Sequence, residues 1–117
     1  MLTRIAVLAL AAALVACGDD DSPGPNPPPS TLSVTTPTQP PPRFIPATGR
    51  VAVGGEVTWT NGSPETIIHD VTSDNGAWTA TALDPGESFS VTFDEAGSYT
   101  YRCTLHPGMT GVIHVED

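Results

Sequence analysis

Residues 99–115, near the C-terminus, read Tyr-Thr-Tyr-Arg-Cys-Thr-Leu-His-Pro-Gly-Met-Thr-Gly-Val-Ile-His-Val. Its first five residues alternate in the period-two pattern of a β-strand, and its last five are β-prone. Between these two strands lies a tight loop that brings Cys103, His106 and Met109 within seven residues. A thiolate, an imidazole and a thioether form a donor set that suits copper in both of its oxidation states. The stretch therefore predicts a metal-binding loop between two strands.

Upstream of this loop, short β-prone runs alternate with turn signals. Glu56 to Asn61 alternates cleanly, and Asn61-Gly62 is a strong turn signal. No window shows a helical apolar stripe of useful length. The pattern predicts an all-β fold, a Greek-key sandwich or barrel of about seven to eight strands. The predicted core consists of apolar residues on the inward faces of these strands: Val57, Trp59, Ile67, Leu83, Phe89, Val91, Phe93, Tyr99, Tyr101, Val112 or Ile113, and Val115.

The loop and its flanks also resemble the C-terminal signature of the cupredoxins, the small blue copper proteins. The likeness is strongest to the plastocyanin and amicyanin branch, because two residues separate Cys103 from His106 and two more separate His106 from Met109, as in amicyanins. The resemblance covers roughly residues 44–117. It implies a single type 1 copper ion that cycles between Cu(I) and Cu(II), with Cys103, His106 and Met109 among its ligands.

A trigonal His₂Cys site with a weak axial Met needs a second histidine. His114 lies past Met109 on the last strand, with no other predicted ligand near it, and is interpreted as exposed or lining. His69 stands where the resemblance implies the upstream ligand, and it is the predicted fourth ligand. The family context there is Pro-His-Asn-Val-like, whereas this chain has Ile68 before the histidine and Asp70 after it.

Asn61 matches an asparagine that, in the relatives, ties the two ligand loops together close to the cysteine sulfur. The resemblance thus implies that Asn61 orients the ligands by hydrogen bonds, which tune a metal site. The alternative is that Asn61 only serves its own Asn-Gly turn, and both roles are compatible.

The N-terminus predicts export. Arg4 precedes an apolar run from Ile5 to Val15, which is too short to span a bilayer but suits a signal peptide over residues 1–16. Cys17 follows small residues and resembles the lipidated cysteine of bacterial lipoproteins. An uncleaved membrane anchor is the alternative. Residues 17–42 then form a linker rich in proline, too poor in apolar residues to fold by itself. Residues 31–36 are left open as a first strand, and the domain is expected over residues 43–117.

The charge of the chain limits its partners. It has 13 acidic residues against 4 basic ones and a net charge of −9, which excludes a nucleic-acid-binding surface. Such acidity can steer basic partners or merely keep an exported protein soluble.

The leading functional hypothesis is an electron carrier, a monomer anchored outside the cytoplasm to a bacterial membrane by lipid. It would exchange single electrons with redox proteins such as a cytochrome or a dehydrogenase. The resemblance implies that His106 exposes its ring edge within an apolar patch made of Leu105, Pro107, Gly108 and Ala77. Arg102 stands where plastocyanins have an exposed aromatic residue, so a second docking area is not expected.

Two other functions remain open from the sequence. The same ligands could serve copper scavenging or delivery without electron transfer, or the domain could be a metal-free sandwich used for adhesion. An enzyme is not expected, because no Ser/His/Asp or paired-carboxylate pattern stands out.

Overall fold

The computed structural model describes residues 26–64 and 66–117, which form a sandwich of two β-sheets. All eight strands are short, as the spacing of the turn signals predicted. They are β1 (Thr31–Thr35), β2 (Thr48–Ala52), β3 (Gly55–Thr60), β4 (His69–Ser73), β5 (Thr81–Leu83), β6 (Ser88–Phe93), β7 (Gly97–Arg102) and β8 (Thr110–Glu116). The predicted all-β sandwich is confirmed. This part of the chain contains no helix long and apolar enough to cross a membrane.

The smaller sheet has the order β1-β3-β6, and the larger sheet has the order β2-β8-β7-β4-β5. Two pairs are parallel, β1 with β3 and β2 with β8, and all other pairs are antiparallel. The parallel pairs join strands that are not consecutive in the sequence, which brings β1 and β2 to the edges of different sheets.

The first strand lies within residues 31–36, which the sequence left open as a strand of the domain. Thr31–Thr35 pairs with β3 in a register that sets Leu32 beside Val57 and Val34 beside Trp59. Val34 is only 1% exposed, so the strand contributes to the core as well as to the sheet. β1 is therefore part of the sandwich, although it lies within the segment 17–42 expected to be a linker. The predicted signal peptide and Cys17 lie outside the described residues.

The core between the sheets is largely aromatic and β-branched. Trp59 and Tyr101 meet edge to face, with ring centroids 5.3 Å apart, and both are fully buried. Ile113, not Val112, is the inward residue of β8. The assignment of Ile67 to the core was wrong: it is 41% exposed, because β4 begins only at His69 and Ile67 lies in the loop before it.

The sheet order decides where the predicted ligands meet. β7 ends at Arg102 and β8 begins at Thr110, so the loop over residues 103–109 closes one end of the sandwich. β4 runs antiparallel to β7, with Thr72 opposite Arg102. The start of β4 therefore lies beside the end of β7, which brings His69 next to Cys103.

Candidate metal centre

Backbone hydrogen bonds shape the loop between β7 and β8. The Cys103 N–H donates to the Met109 carbonyl at 2.9 Å, and the Met109 N–H donates to the His106 carbonyl at 3.1 Å. Gly108 adopts a φ of +85°, a conformation that favours glycine, and this closes the turn between His106 and Met109. These hydrogen bonds and the turn at Gly108 thus hold the three donor residues of the loop in place at one end of the hairpin.

Three of the predicted ligands converge. One donor atom each from His69, Cys103 and His106 lies within 4.8 Å of the other two. The Cys103 Sγ is 3.4 Å from the His106 Nδ1 and 3.9 Å from the His69 Nδ1. His69 and Cys103 are buried and His106 is half-buried, so the group opens to solvent only on the His106 side.

Met109, the predicted axial ligand, is 1% exposed and belongs to the hydrophobic core. Its backbone closes the ligand loop at both its N–H and its carbonyl, so its position depends on the same turn as that of Cys103 and His106.

The orientation of His69 is set by a residue that the sequence did not point out. The Ser63 Oγ lies 2.8 Å from the His69 Nε2, while the Nδ1 of the same ring faces Cys103. A hydrogen bond at one ring nitrogen of a ligand histidine fixes the ring and leaves the other nitrogen for the metal. Ser63 is 8% exposed.

The pKa of His69 is lowered below its ordinary value of 6.5. Burial, which disfavours the charged imidazolium, is the largest cause; nearby His106 lowers the pKa further, and Asp70 opposes the shift. The shift favours the neutral imidazole, which is the form that binds metals.

Asp70 connects the two ligand segments. Its backbone N–H donates to the Cys103 Sγ at 3.3 Å, and its carboxylate accepts hydrogen bonds from the Thr104 N–H at 2.9 Å and the Thr104 Oγ1 at 2.5 Å. Asp70, which follows His69, is therefore hydrogen-bonded to Thr104, which follows Cys103.

Asn61 has contacts different from those the resemblance implied. Its Nδ2 donates to the Ile67 carbonyl at 2.9 Å and to the Leu83 carbonyl at 2.8 Å, and its Oδ1 accepts from the Ser63 N–H at 2.9 Å. These bonds fix the segment that leads into His69, but none of them reaches the loop over residues 103–109. The hydrogen bonds between the two loops, expected from Asn61, come from Asp70.

His114 is separate from the ligand group, as expected. Its Nδ1 lies 2.8 Å from the Ser98 Oγ on the neighbouring strand β7, at an exposed position of the sheet.

A family model described as copper binding proteins of the plastocyanin/azurin family matches residues 35–116. The chain belongs to this family. Among its relatives, a chloroplastic plastocyanin of Tetradesmus obliquus is 39% identical over 62% of this cupredoxin and 58% of its own length. An amicyanin of Paracoccus versutus is 37% identical over 56% of this chain and 52% of its own length, so the cupredoxin spans little more than half of each.

A solved structure supports the same assignment. A purple cupredoxin of Nitrosopumilus maritimus matches with a TM-score of 0.63 and 27% sequence identity, over 73% of this chain and 99% of that one.

The residues present in this cupredoxin fit copper. A thiol and two imidazole nitrogens within 4.8 Å offer the mixed soft and borderline donors that copper prefers, and the neutral form of His69 is already favoured. The backbone N–H that points at the Cys103 sulfur suits a thiolate, because it can partly balance negative charge there.

The surface around His106 is apolar. Leu105 is 54% exposed, and Pro107 and Gly108 are also exposed. Ala77, assigned to the same patch from the sequence, lies instead beside Phe93 and Asp94 at the other end of the sandwich, because it follows the far end of β4. Sequence reasoning missed Ile67 and Ile68, which are 41% and 42% exposed in the segment before His69. Two consecutive isoleucines before the strand were the available signal, but they were interpreted as part of it.

Proposed function

We propose that this protein is a single-electron carrier that holds one copper ion with His69, Cys103 and His106, and with Met109 as a weak axial ligand. The observation that supports this most is the convergence of one thiol and two imidazole donors within 4.8 Å at one end of the sandwich. Bound copper supplies the one-electron couple between Cu(II) and Cu(I).

The chain contributes a rigid ligand frame. His69 is fixed from behind by Ser63, and Cys103 is held by backbone bonds to Met109 and from Asp70. Ligands that are already held in place by their neighbours move little when the charge of the site changes. A small rearrangement is what a fast electron carrier needs, since reorganisation of the site slows the transfer.

The half-buried His106 provides the path by which an electron passes between the copper site and a partner protein. It is the ligand nearest to solvent, and exposed apolar side chains such as Leu105 and Ile68 surround this end. A patch of this kind suits brief contact with another redox protein, such as a cytochrome or a dehydrogenase. We propose that the protein acts as a monomer and that partners dock here.

An enzymatic role is not supported by the site. Within the described parts of the chain, one group of three or more metal-binding side chains is present, and it is the group just described.

Electrochemistry and electron exchange test the proposal. The copper-loaded domain is expected to show a reversible one-electron couple and to exchange electrons rapidly with a soluble cytochrome. Rapid loss of copper to an acceptor protein, with slow electron exchange, would instead favour copper scavenging or delivery by the same ligands. A Leu105→Ser variant should slow the exchange without altering the couple, because it removes an apolar side chain from the docking surface without adding a charge near the metal.

We also propose that the protein is exported and anchored by lipid at Cys17. The support is the sequence pattern of residues 1–17, together with a free thiol at Cys103 that bound metal would protect in an oxidising compartment. In a bacterial host, Cys17→Ala should release the protein from the membrane fraction and abolish labelling with radioactive palmitate. Labelling that persists would exclude this attachment site.

A further inference from the structure

The side chain of Asp70 is a buried carboxylate. The residue is 8% exposed, and its Oδ1 accepts hydrogen bonds from the Thr104 N–H and the Thr72 Oγ1, both at 2.9 Å. Its Oδ2 accepts from the Thr104 Oγ1 at 2.5 Å. Both carboxylate oxygens are therefore held by hydrogen bonds. All three donors are neutral, so they orient the negative charge without cancelling it.

No cation compensates this charge in the part of the chain that the structure describes. The two ion pairs found there join Arg50 to Glu116 and Arg102 to Asp74. The remaining described arginine, Arg43, donates to the carbonyl of Pro41. The charge of Asp70 therefore acts on whatever lies beside it inside the protein.

The candidate metal centre lies beside it. Asp70 directly follows His69, its backbone N–H donates to the Cys103 sulfur at 3.3 Å, and its carboxylate holds Thr104, which directly follows Cys103. With a thiolate and neutral imidazoles, the centre carries a net charge of about +1 with Cu(II) and about zero with Cu(I). A fixed negative charge stabilises the first state more than the second.

We propose that Asp70 is a potential-setting residue, whose carboxylate favours Cu(II) over Cu(I) and so lowers the reduction potential of the centre. This inference rests on the proposed function. At an effective dielectric constant of about 20, a unit charge several ångströms from an ion changes its binding constant about ten- to hundredfold. Each tenfold change in the ratio of Cu(II) to Cu(I) affinity corresponds to about 59 mV for a one-electron couple.

The test is the midpoint potential of copper-loaded Asp70→Asn, measured by voltammetry at fixed pH and salt. The amide has the shape of the carboxylate: its oxygen can accept from the Thr104 N–H and Thr72, and its NH₂ can donate to the Thr104 hydroxyl. The variant therefore removes the charge while keeping the link between the loops. The expected result is a potential at least about 59 mV higher, a tenfold loss of preference for Cu(II).

Asp94→Asn is the matched control for loss of one negative charge. Asp94 is exposed in the turn after β6, at the end of the sandwich away from the ligands. Solvent screens such a charge, so its removal should alter the ratio of affinities less than about twofold. Equal shifts in Asp70→Asn and Asp94→Asn would overturn the inference.

Thr104→Val separates charge from geometry. It removes the hydroxyl that bonds to the Asp70 carboxylate but keeps the charge, so the potential should not rise. A rise equal to that of Asp70→Asn would show that the link between the loops sets the potential, and would overturn the inference.

The stability of copper-free Asp70→Asn, measured by urea unfolding, should match that of the parent. An unmodified protein with no redox couple at all would instead overturn the proposed function, and the inference with it.

Discussion

Ser63→Ala is the change that most directly tests how the buried ligand His69 is held. The Ser63 hydroxyl lies 2.8 Å from the His69 Nε2, and it also lies 3.1 Å from the Thr36 Oγ1 and 3.2 Å from the Pro37 carbonyl. Thr36 keeps other partners in the variant, because its hydroxyl also donates to the Asn61 Oδ1 and accepts from the Gly62 N–H. The main loss is therefore at His69.

The magnitude follows from the burial of the ring. His69 is 1% exposed, and a buried polar group left without its partner costs about 1–3 kcal/mol. A cavity of about 140 Å³ adjoins Ser63 and His69, and water drawn from it can restore part of the lost bond. We therefore expect the free energy of unfolding of the copper-free protein to fall by about 1 kcal/mol, which lowers Tm by about 4–8 °C for a domain of this size.

Copper binding should weaken as well. Removing the partner that orients a ligand histidine typically lowers metal affinity about 10–100-fold. Urea unfolding of the copper-free protein and competition with a copper chelator measure the two effects separately. Ser90→Ala is the control, since its hydroxyl lies 2.7 Å from that of Thr58 in an exposed pair and its loss should alter neither quantity. If Ser63→Ala behaves like Ser90→Ala in both assays, Ser63 does not hold the ligand.

Three further predictions concern the core and the response to pH. Gly111→Ala should lower the free energy of unfolding by about 1–3 kcal/mol, because a Cβ at this position would overlap the buried ring of Tyr101. An unchanged midpoint of urea unfolding would contradict the close packing of Tyr101 on Gly111. Tyr101→Phe should leave stability unchanged or raise it, because among the described residues neither the buried Tyr101 hydroxyl nor the neighbouring Trp59 N–H has a hydrogen-bond partner of acceptable geometry. Burial raises the pKa of Tyr101 to about 12, with Trp59 opposing the shift. A loss of stability above about 1 kcal/mol in Tyr101→Phe would refute this expectation. The copper-free protein should lose stability as the pH falls below 6.5, because the pKa of His69 is lowered in the folded state and the unfolded state therefore binds more protons at this residue. His69→Asn should lack this part of the pH dependence of stability. Parallel curves of stability against pH for the two proteins would contradict a lowered pKa of His69.

Periodicity and donor spacing predicted most of the strands and the ligand loop. Strands such as β3 and β6 alternate apolar and polar residues, because one face of each packs on the core while the other faces solvent. The loop was recognisable because Cys103, His106 and Met109 are close in sequence, so their proximity in space needed no knowledge of the fold.

Contacts between distant segments could not be predicted in the same way. β1 lies in a segment rich in proline, and its place in the sheet depends on parallel pairing with a strand more than twenty residues away. The roles of Ser63 and Asp70 depend on side-chain distances that only the packing of the loops defines. Ile67 was assigned to the core because a β-prone run does not show where its strand begins.

Titration of the copper-free protein with Cu(II), followed by visible absorption, tests most directly whether the three converging side chains form one copper site. An intense band from sulfur-to-copper charge transfer should grow to saturation at one equivalent, and Cys103→Ala should abolish it. Tight binding of one equivalent without such a band, or an unchanged band in Cys103→Ala, would contradict a copper ion bound by the thiolate of residue 103.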